Sequence, residues 1–507
     1  MLDLTKVFKL YAGYRYSQLE NQSAIVNQEE TLLRLVKKAE NTKFGKEHGF
    51  ASIRSVGDFQ KRTPLRKYED FWEQYWKPAF PNLRDCTWPG LIPYFCLSSG
   101  TTSGTTKYIP YTDEMVRSNS KAGLDMMVYH LINCPKSKIF GGKSFVLGGS
   151  TELENLAPGV WGGDLSGIAA MTLPWWAKSY YFPPKELALI KDWEEKINIF
   201  AERALREDIR SLSGVPSWML ILIHKMKEMS GKEDLKEIFP KLEMLVHGGV
   251  NFEPYFQQFS GLLRSTAAEL REVYPASEGF IAIGDRSYGE GLRLNNNHQI
   301  FFEFVPVEEL HSANPARHWV SNIELNVNYA VVLSTAAGLW SYILGDTVKF
   351  VERDKPRLLV TGRTSYFLSA FGEHLAGEEV EKAVASAAQS IGRNVTDYSL
   401  GAIYPQSEGE RGGHLLVIEF TGSHVQEAAM KTFGEVLTRT LCDLNEDYRG
   451  HLSGGFGMNS PEIRSVREGT FAAWMKKRGK LGGQNKVPRI IAKSELFDDL
   501  IEFTKLP

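Results

Sequence analysis

Residues 241–279 read KLEMLVHGGVNFEPYFQQFSGLLRSTAAELREVYPASEG, and this run decides the fold class. The apolar segment KLEMLVHGG stops on two glycines. A stretch with helical spacing, NFEPYFQQFSGLLRST, follows it, and a second strand-like segment, LREVYPASEG, ends on glycine again. SFVLGG at 144–149 repeats the opening of the pattern, and DWEEKINIFAERALREDIRSL, at 192–212, reads as one helix. Strand, glycine turn and helix in alternation predict an α/β architecture, whose ligands gather at the carboxyl ends of the strands.

Working outward, residues 20–75 carry apolar positions at helical spacing, as in ETLLRLVKKAENTKFG, and predict an α-helical opening. Beyond RLLVTGRTSYF the pattern changes to GEHLAGEEVEKAVASAAQSIG, then strand-like HLLVIEF, then helical EAAMKTFGEVLTRTLCDL. This predicts a large N-terminal domain of mixed sheets and helices, residues 1–362, and a smaller α+β lid, residues 363–507, joined by a hinge.

Composition excludes several classes. Of the 507 residues 43% are hydrophobic and 24% charged, with a net charge of -2, so nothing argues for disorder, nucleic acid or an anionic membrane as partner. No segment reaches the ~20 apolar residues that span a bilayer, and the first residues lack the pattern of a secretory signal. The four cysteines, Cys86, Cys96, Cys134 and Cys442, form no CxxC pair and no Cys/His cluster at metal-ligand spacing. They read as reduced thiols of a cytoplasmic protein without a zinc site.

The densest chemistry lies in Leu97-Ser98-Ser99-Gly100-Thr101-Thr102-Ser103-Gly104-Thr105-Thr106-Lys107, directly after the apolar run LIPYFC. Glycines let backbone amides converge on an anion, hydroxyls add donors, and the lysine adds positive charge, which together describe a phosphate cradle. It is not a Walker A loop, because Tyr108 follows the lysine where Ser or Thr is required. The plain alternative is a polar surface loop.

Together with Tyr274-Pro275-Ala276-Ser277-Glu278-Gly279, Gly345-Asp346 and Gly362-Arg363, this loop resembles the acyl-adenylate-forming superfamily. Within it the chain is most similar to the auxin-responsive acyl acid amido synthetases, known from plants and also from bacteria, as a bacterial-type member. The resemblance implies that Ser98, Ser99, Thr101, Thr102 and Lys107 hold ATP phosphates, and that Tyr274 stacks on adenine beside Pro275, Ala276 and Ser277. It makes Glu278 the catalytic carboxylate that binds magnesium, a role suited to a hard oxygen donor. It also sets Gly248 and Gly249 against the purine. Tyr342 and Asp346 then meet the nucleotide, the carboxylate taking both ribose hydroxyls, and Arg363 reaches ribose or phosphate.

Two positions depart from the family's pattern. His247 stands where a small or hydroxylated residue is usual, and Trp340-Ser341-Tyr342 stands where an arginine is usual. In Gly482-Gly483-Gln484-Asn485-Lys486-Val487-Pro488-Arg489 the resemblance marks Lys486 as the catalytic lysine carried by the lid, with Lys480 in reserve. Lys476 and Lys477 read equally well as a solvated basic face. The aromatic stretches around Trp161 and at Trp175-Trp176 fit either an acyl pocket or plain packing.

The implied reaction has two steps. A small carboxylic acid attacks the α-phosphate of magnesium-bound ATP, releasing pyrophosphate, and an amine, expected to be an amino acid, then displaces AMP to form an amide. Two other outcomes fit the same motifs: transfer to coenzyme A, or a nucleotide sensor that has lost catalysis. Retention of both Glu278 and Lys486 speaks against the sensor. The sequence names neither the acid nor the acceptor.

Overall fold

The computed structural model describes residues 2–98, 106–148, 152–188, 190, 193–249, 252, 255–310, 312–364, 367–373, 375–407, 410–422, 425–453, 458–478 and 487–505. The chain opens on helices, beginning earlier than the periodicity predicted, with Thr5–Asn21 ahead of Ala24–Ala39. The second of these shows why it forms. Ser23 caps its start by accepting from the Val26 amide, Lys37 and Lys38 sit in its last turn, and Leu32, Leu35, Val36 and Ala39 form its buried stripe.

Among the described residues, eleven strands form the central sheet, and its two halves obey different rules. One half is parallel: Tyr181–Phe182, Lys143–Leu147, Ile209–Gly214, Met244–His247 and Glu269–Ala276 lie side by side. The other half, Gly279–Ile283, Leu292–Leu294, Arg357–Arg363, Tyr342–Glu352, Asn328–Thr335 and Ile300–Pro306, pairs antiparallel throughout. The halves meet at the tight turn between Ala276 and Gly279, where the two strands pair antiparallel. The single helix read over 192–212 divides in the structure. The helix Trp193–Ala204 ends, and Ile209–Gly214 is a central strand of the parallel half, buried at Ile209 and Leu212.

A smaller sheet of four described strands sets Lys107–Tyr111 antiparallel to Tyr94–Ser98, with Ser98 facing Lys107 across the pair. These two strands flank the Ser/Thr/Gly run in the sequence.

Toward the C-terminus four described strands, in the order Glu462–Val466, Gly413–Phe420, Val395–Ile403 and Ile490–Ile491, make a third sheet. Within HLLVIEF, Leu415–Ile418 is apolar without a break because both faces of its strand are covered. Leu416 and Ile418 pack with the helices Gly377–Ser390 and Glu427–Leu444. Leu415 and Val417 pack against Phe471, Trp474 and Phe497 on the other side. Among the described residues no helix is long and apolar enough to cross a membrane.

Candidate active site

The turn that joins the two halves of the central sheet carries Glu278. Its residue is only 9% exposed, and its Oε1 accepts a hydrogen bond of 3.0 Å from the Tyr342 hydroxyl. Burial raises the carboxyl above its usual range, while the charge of Lys107 opposes the rise. Burial and the neighbouring carboxylate push the Tyr342 phenol far up, so the tyrosine remains protonated and donates. Gly279 follows because the turn has no room for more: a Cβ there would lie 2.5 Å from Ile300.

Asp346 lies on the same strand as Tyr342, at an irregularity. Residues 343 and 347 face 332 and 330 on the neighbouring strand, so extra residues bulge out around Gly345, whose φ of +96° favours glycine. The bulge re-aims Asp346 into the sheet edge, where Tyr274 donates to its Oδ2 at 2.6 Å and Arg363 Nε lies 2.9 Å from its Oδ1. Strand register explains the second contact, since Asp346 and Arg363 are direct partners. Two carboxylates are thus each held by a buried tyrosine, Glu278 at the turn between sheet halves and Asp346 at the bulge.

The predicted nucleotide residues are partly brought together. Tyr274, Glu278, Tyr342, Asp346 and Arg363 form one constellation, with Pro275, Ala276 and Ser277 on the connecting strand and turn. The ring of Tyr274 is 8% exposed within the main core, and the contact it makes through its hydroxyl is with Asp346. The arginine expected to reach a ligand is paired with the same aspartate. Gly248 and Gly249 follow the neighbouring strand. A Cβ at Gly248 would lie 2.4 Å from the Val273 carbonyl oxygen, and Gly249 has a φ of +85°.

Ser98 and Lys107 sit at the base of the hairpin; Ser99, Thr101 and Thr102 lie outside the described residues. Lys107 is engaged, 3.6 Å from Glu69 and above the ring of Tyr68 at 5.2 Å. Neither partner was legible, because no spacing links 68–69 to the loop. Beside the hairpin, the Thr106 hydroxyl donates to Glu446 at 3.4 Å, on the helix Glu446–Ser453 of the C-terminal part. Lys486 and Lys480 also lie outside the described residues.

His247 is 1% exposed, stacks on Phe252 with ring centroids 3.5 Å apart, and is pushed down to about 3 by burial. It is a packing residue held neutral. At the position where an arginine is usual, Trp340 is fully buried, and Ser341, at φ +46°, joins Glu303 and Arg317. Trp175 and Trp176 are 84% and 47% exposed, which fits neither an enclosed pocket nor core packing.

Comparison with known proteins adds to this geometry. Models of the GH3 family match in chain order: the N-terminal domain over 16–153 and 160–267, the central domain over 294–363, and the C-terminal domain over 378–495. The chain belongs to the GH3 family. Among its relatives, indole-3-acetic acid-amido synthetase GH3.3 of Arabidopsis thaliana is 23% identical over 270 residues, 51% of this chain and 44% of that one. The jasmonoyl–L-amino acid synthetase JAR4 of Nicotiana attenuata is 22% identical over 536 residues, 92% of this chain and 91% of that one. The chain thus spans less than half the length of the first GH3 relative and nearly all of the second.

Two solved structures share the fold. AtGH3.15 acyl acid amido synthetase in complex with 2,4-DB has a TM-score of 0.59 and 16% identity, covering 96% of this chain and 95% of its own. A 2-hydroxyisobutyryl-CoA ligase in complex with 2-HIB-AMP and CoA has a TM-score of 0.58 and 15% identity, covering 93% and 90%. The mixed α/β architecture with a C-terminal α+β part is that of the GH3 fold.

Proposed function

We propose that this GH3 family member is an ATP-dependent, AMP-forming acyl acid amido synthetase. The observation that carries the reading is the pair of tyrosine-held carboxylates, Glu278 and Asp346, beside the Ser98–Lys107 hairpin at the carboxyl edge of the sheet. Family membership and the names of the relatives support it.

In this reading the hairpin and Lys107 hold the polyphosphate, and Asp346, with Tyr274 and Arg363 fixing its two oxygens, accepts the ribose hydroxyls. Glu278 fits magnesium in one particular way. Buried and held by the Tyr342 hydroxyl, it offers a hard carboxylate oxygen, which suits an Mg2+ that would arrive with the nucleotide phosphates. Bound there, the ion would neutralise charge on the phosphates. Lys486 is assigned by resemblance to the charge that develops on the carboxylate and α-phosphate, a stabilisation often worth a few kcal/mol. No covalent enzyme intermediate is needed, since the carboxylate attacks the α-phosphate directly and the amine then displaces AMP.

The reading includes residues 1–362 and 363–507 as two bodies, the smaller one mobile between the half-reactions. It is supported by their hydrophobic clusters, which draw buried members from residues up to 358 on one side and from 368 onward on the other. A cytoplasmic setting suits the four free cysteines.

The test is AMP release by the purified chain with ATP, magnesium and pooled carboxylic acids, run with amino acids, with coenzyme A, or with neither. Acid-dependent AMP that rises with amino acids supports the synthetase. A rise with coenzyme A alone assigns a thioester ligase, and binding of ATP without AMP formation assigns a sensor.

A further inference from the structure

The amino-terminal edge of the parallel half-sheet lies about eight residues of strand, or ~25 Å, from the nucleotide edge. There Glu243 and Glu269 begin neighbouring strands, the Glu269 amide donating to the Glu243 carbonyl at 2.9 Å. The last turn of the helix Asp113–Asn133 points His130 and, one turn on, Cys134 at the same place. One donor atom each of His130, Cys134 and Glu269 lie within 4.8 Å of one another. We infer that His130, Cys134 and Glu269 form a binding site for a divalent transition ion of the zinc class.

Three observations carry this. The donor set is imidazole, thiol and carboxylate, the combination that suits zinc and disfavours calcium or magnesium. The i, i+4 spacing puts His130 in the last helical turn and Cys134 at the helix cap, and the third donor is the first residue of a half-buried strand. The outer shell is also in place. His130 Nδ1 lies 2.7 Å from Glu269 Oε2, while Nε2 lies 3.1 Å from Ser137 Oγ and 3.7 Å from Glu243 Oε2. With Nδ1 as the ligand atom, Nε2 is held by the Ser137 hydroxyl, and a hydrogen bond on the far nitrogen is what fixes the orientation of a metal-bound imidazole.

Ligand atoms around a tetrahedral zinc stand about 3.5 Å apart, so the imidazole and carboxylate need separate by only about an ångström. The ion takes the place of the Cys134 thiol proton and of the proton between Nδ1 and Glu269. A cavity of about 440 Å³ lined by Asn133, Glu269 and Arg271 adjoins the cluster on the Glu269 side. Arg271, 2.8 Å from Glu269, is the opposing charge that sets a limit on affinity. The proposal departs from the expectation drawn from cysteine spacing, since His130 stands one helical turn before Cys134 and Glu269 comes from a distant strand.

The experiment uses the full chain, stripped of metal, titrated with Co2+ and then Zn2+. One equivalent of cobalt is expected to produce thiolate-to-cobalt charge-transfer absorption, and one equivalent of zinc to remove it. Cys134→Ser should abolish the band, Cys442→Ser should leave it, and Glu243→Gln should weaken binding ~10- to 100-fold. Alkylation of the unsubstituted chain, mapped by mass spectrometry, needs no variant to fold, and zinc should protect Cys134 there. Saturating cobalt without the band, or equal alkylation of Cys134 with and without zinc, overturns the site and leaves its groups as an ion network. Neither readout depends on the proposed reaction.

Discussion

Tyr342 shows how much one hydroxyl is asked to do. It donates to the buried Glu278 carboxylate, and hydrogen bonds to charged groups contribute about 1.5–3 kcal/mol. Tyr342→Phe should therefore lower acid-dependent AMP formation by roughly 10- to 100-fold, with the loss largest at limiting magnesium. Unchanged kinetics across a magnesium titration would remove Glu278 from the metal's path. His247 supports a prediction of another kind. Its folded value, about 3, lies below the ordinary 6.5, so the unfolded chain binds the extra proton between those limits. Its contribution is complete above pH 6.5 and is lost as pH falls toward 3, at up to about 1.4 kcal/mol per unit. Urea denaturation at pH 7 and pH 5 should show a smaller acid loss in His247→Leu than in the native chain; equal losses would show that other groups dominate the acid limb.

Elements explain what the sequence disclosed and what it withheld. KLEMLVHGG and LREVYPASEG were legible as strands because each is an apolar run closed by glycine, and EAAMKTFGEVLTRTLCDL as a helix because its apolar positions recur at helical spacing. DIRSL was not legible: Asp208 and Arg210 continue the charge pattern of the preceding helix, and only burial between two other strands makes Ile209–Gly214 extended. The candidate site residues were nominated through motifs, but the pairings among those described were hidden. Tyr274 meets Asp346 across 72 positions and Tyr342 meets Glu278 across 64, and no local pattern encodes that. The bulge that aims Asp346 has its own test. A Cβ at Gly345 would meet nothing within 4 Å, so Gly345→Ala adds backbone strain without a clash, about 1–2 kcal/mol. Denaturation should show that loss, with Gly345→Asn losing less; an alanine variant of full stability would mean that the bulge relaxes freely.

Across the whole molecule, separate hydrophobic clusters predict separate melting. The C-terminal clusters enclose their own sheet on both faces, so calorimetry should resolve two transitions whose enthalpies scale with size, about 0.7 kcal/mol per residue. Saturating ATP with magnesium should raise the larger one. A single transition with equal calorimetric and van't Hoff enthalpies would show that contacts such as Thr106 with Glu446 bind the chain into one cooperative unit.

The turn between Ala276 and Gly279, where parallel pairing gives way to antiparallel, also orders events in time. The strands from Asn328 to Arg363 pair with their neighbours in sequence and close short loops, whereas each parallel partner must wait for a longer crossover. The meander is therefore the faster half to form. Tyr342 and Asp346 mature within it, but Tyr274 and Glu278 arrive only when the slower half docks. A newly made chain thus completes its candidate site at the last long-range step, and on the proposed reading a partly folded one would have no competent site with which to spend ATP.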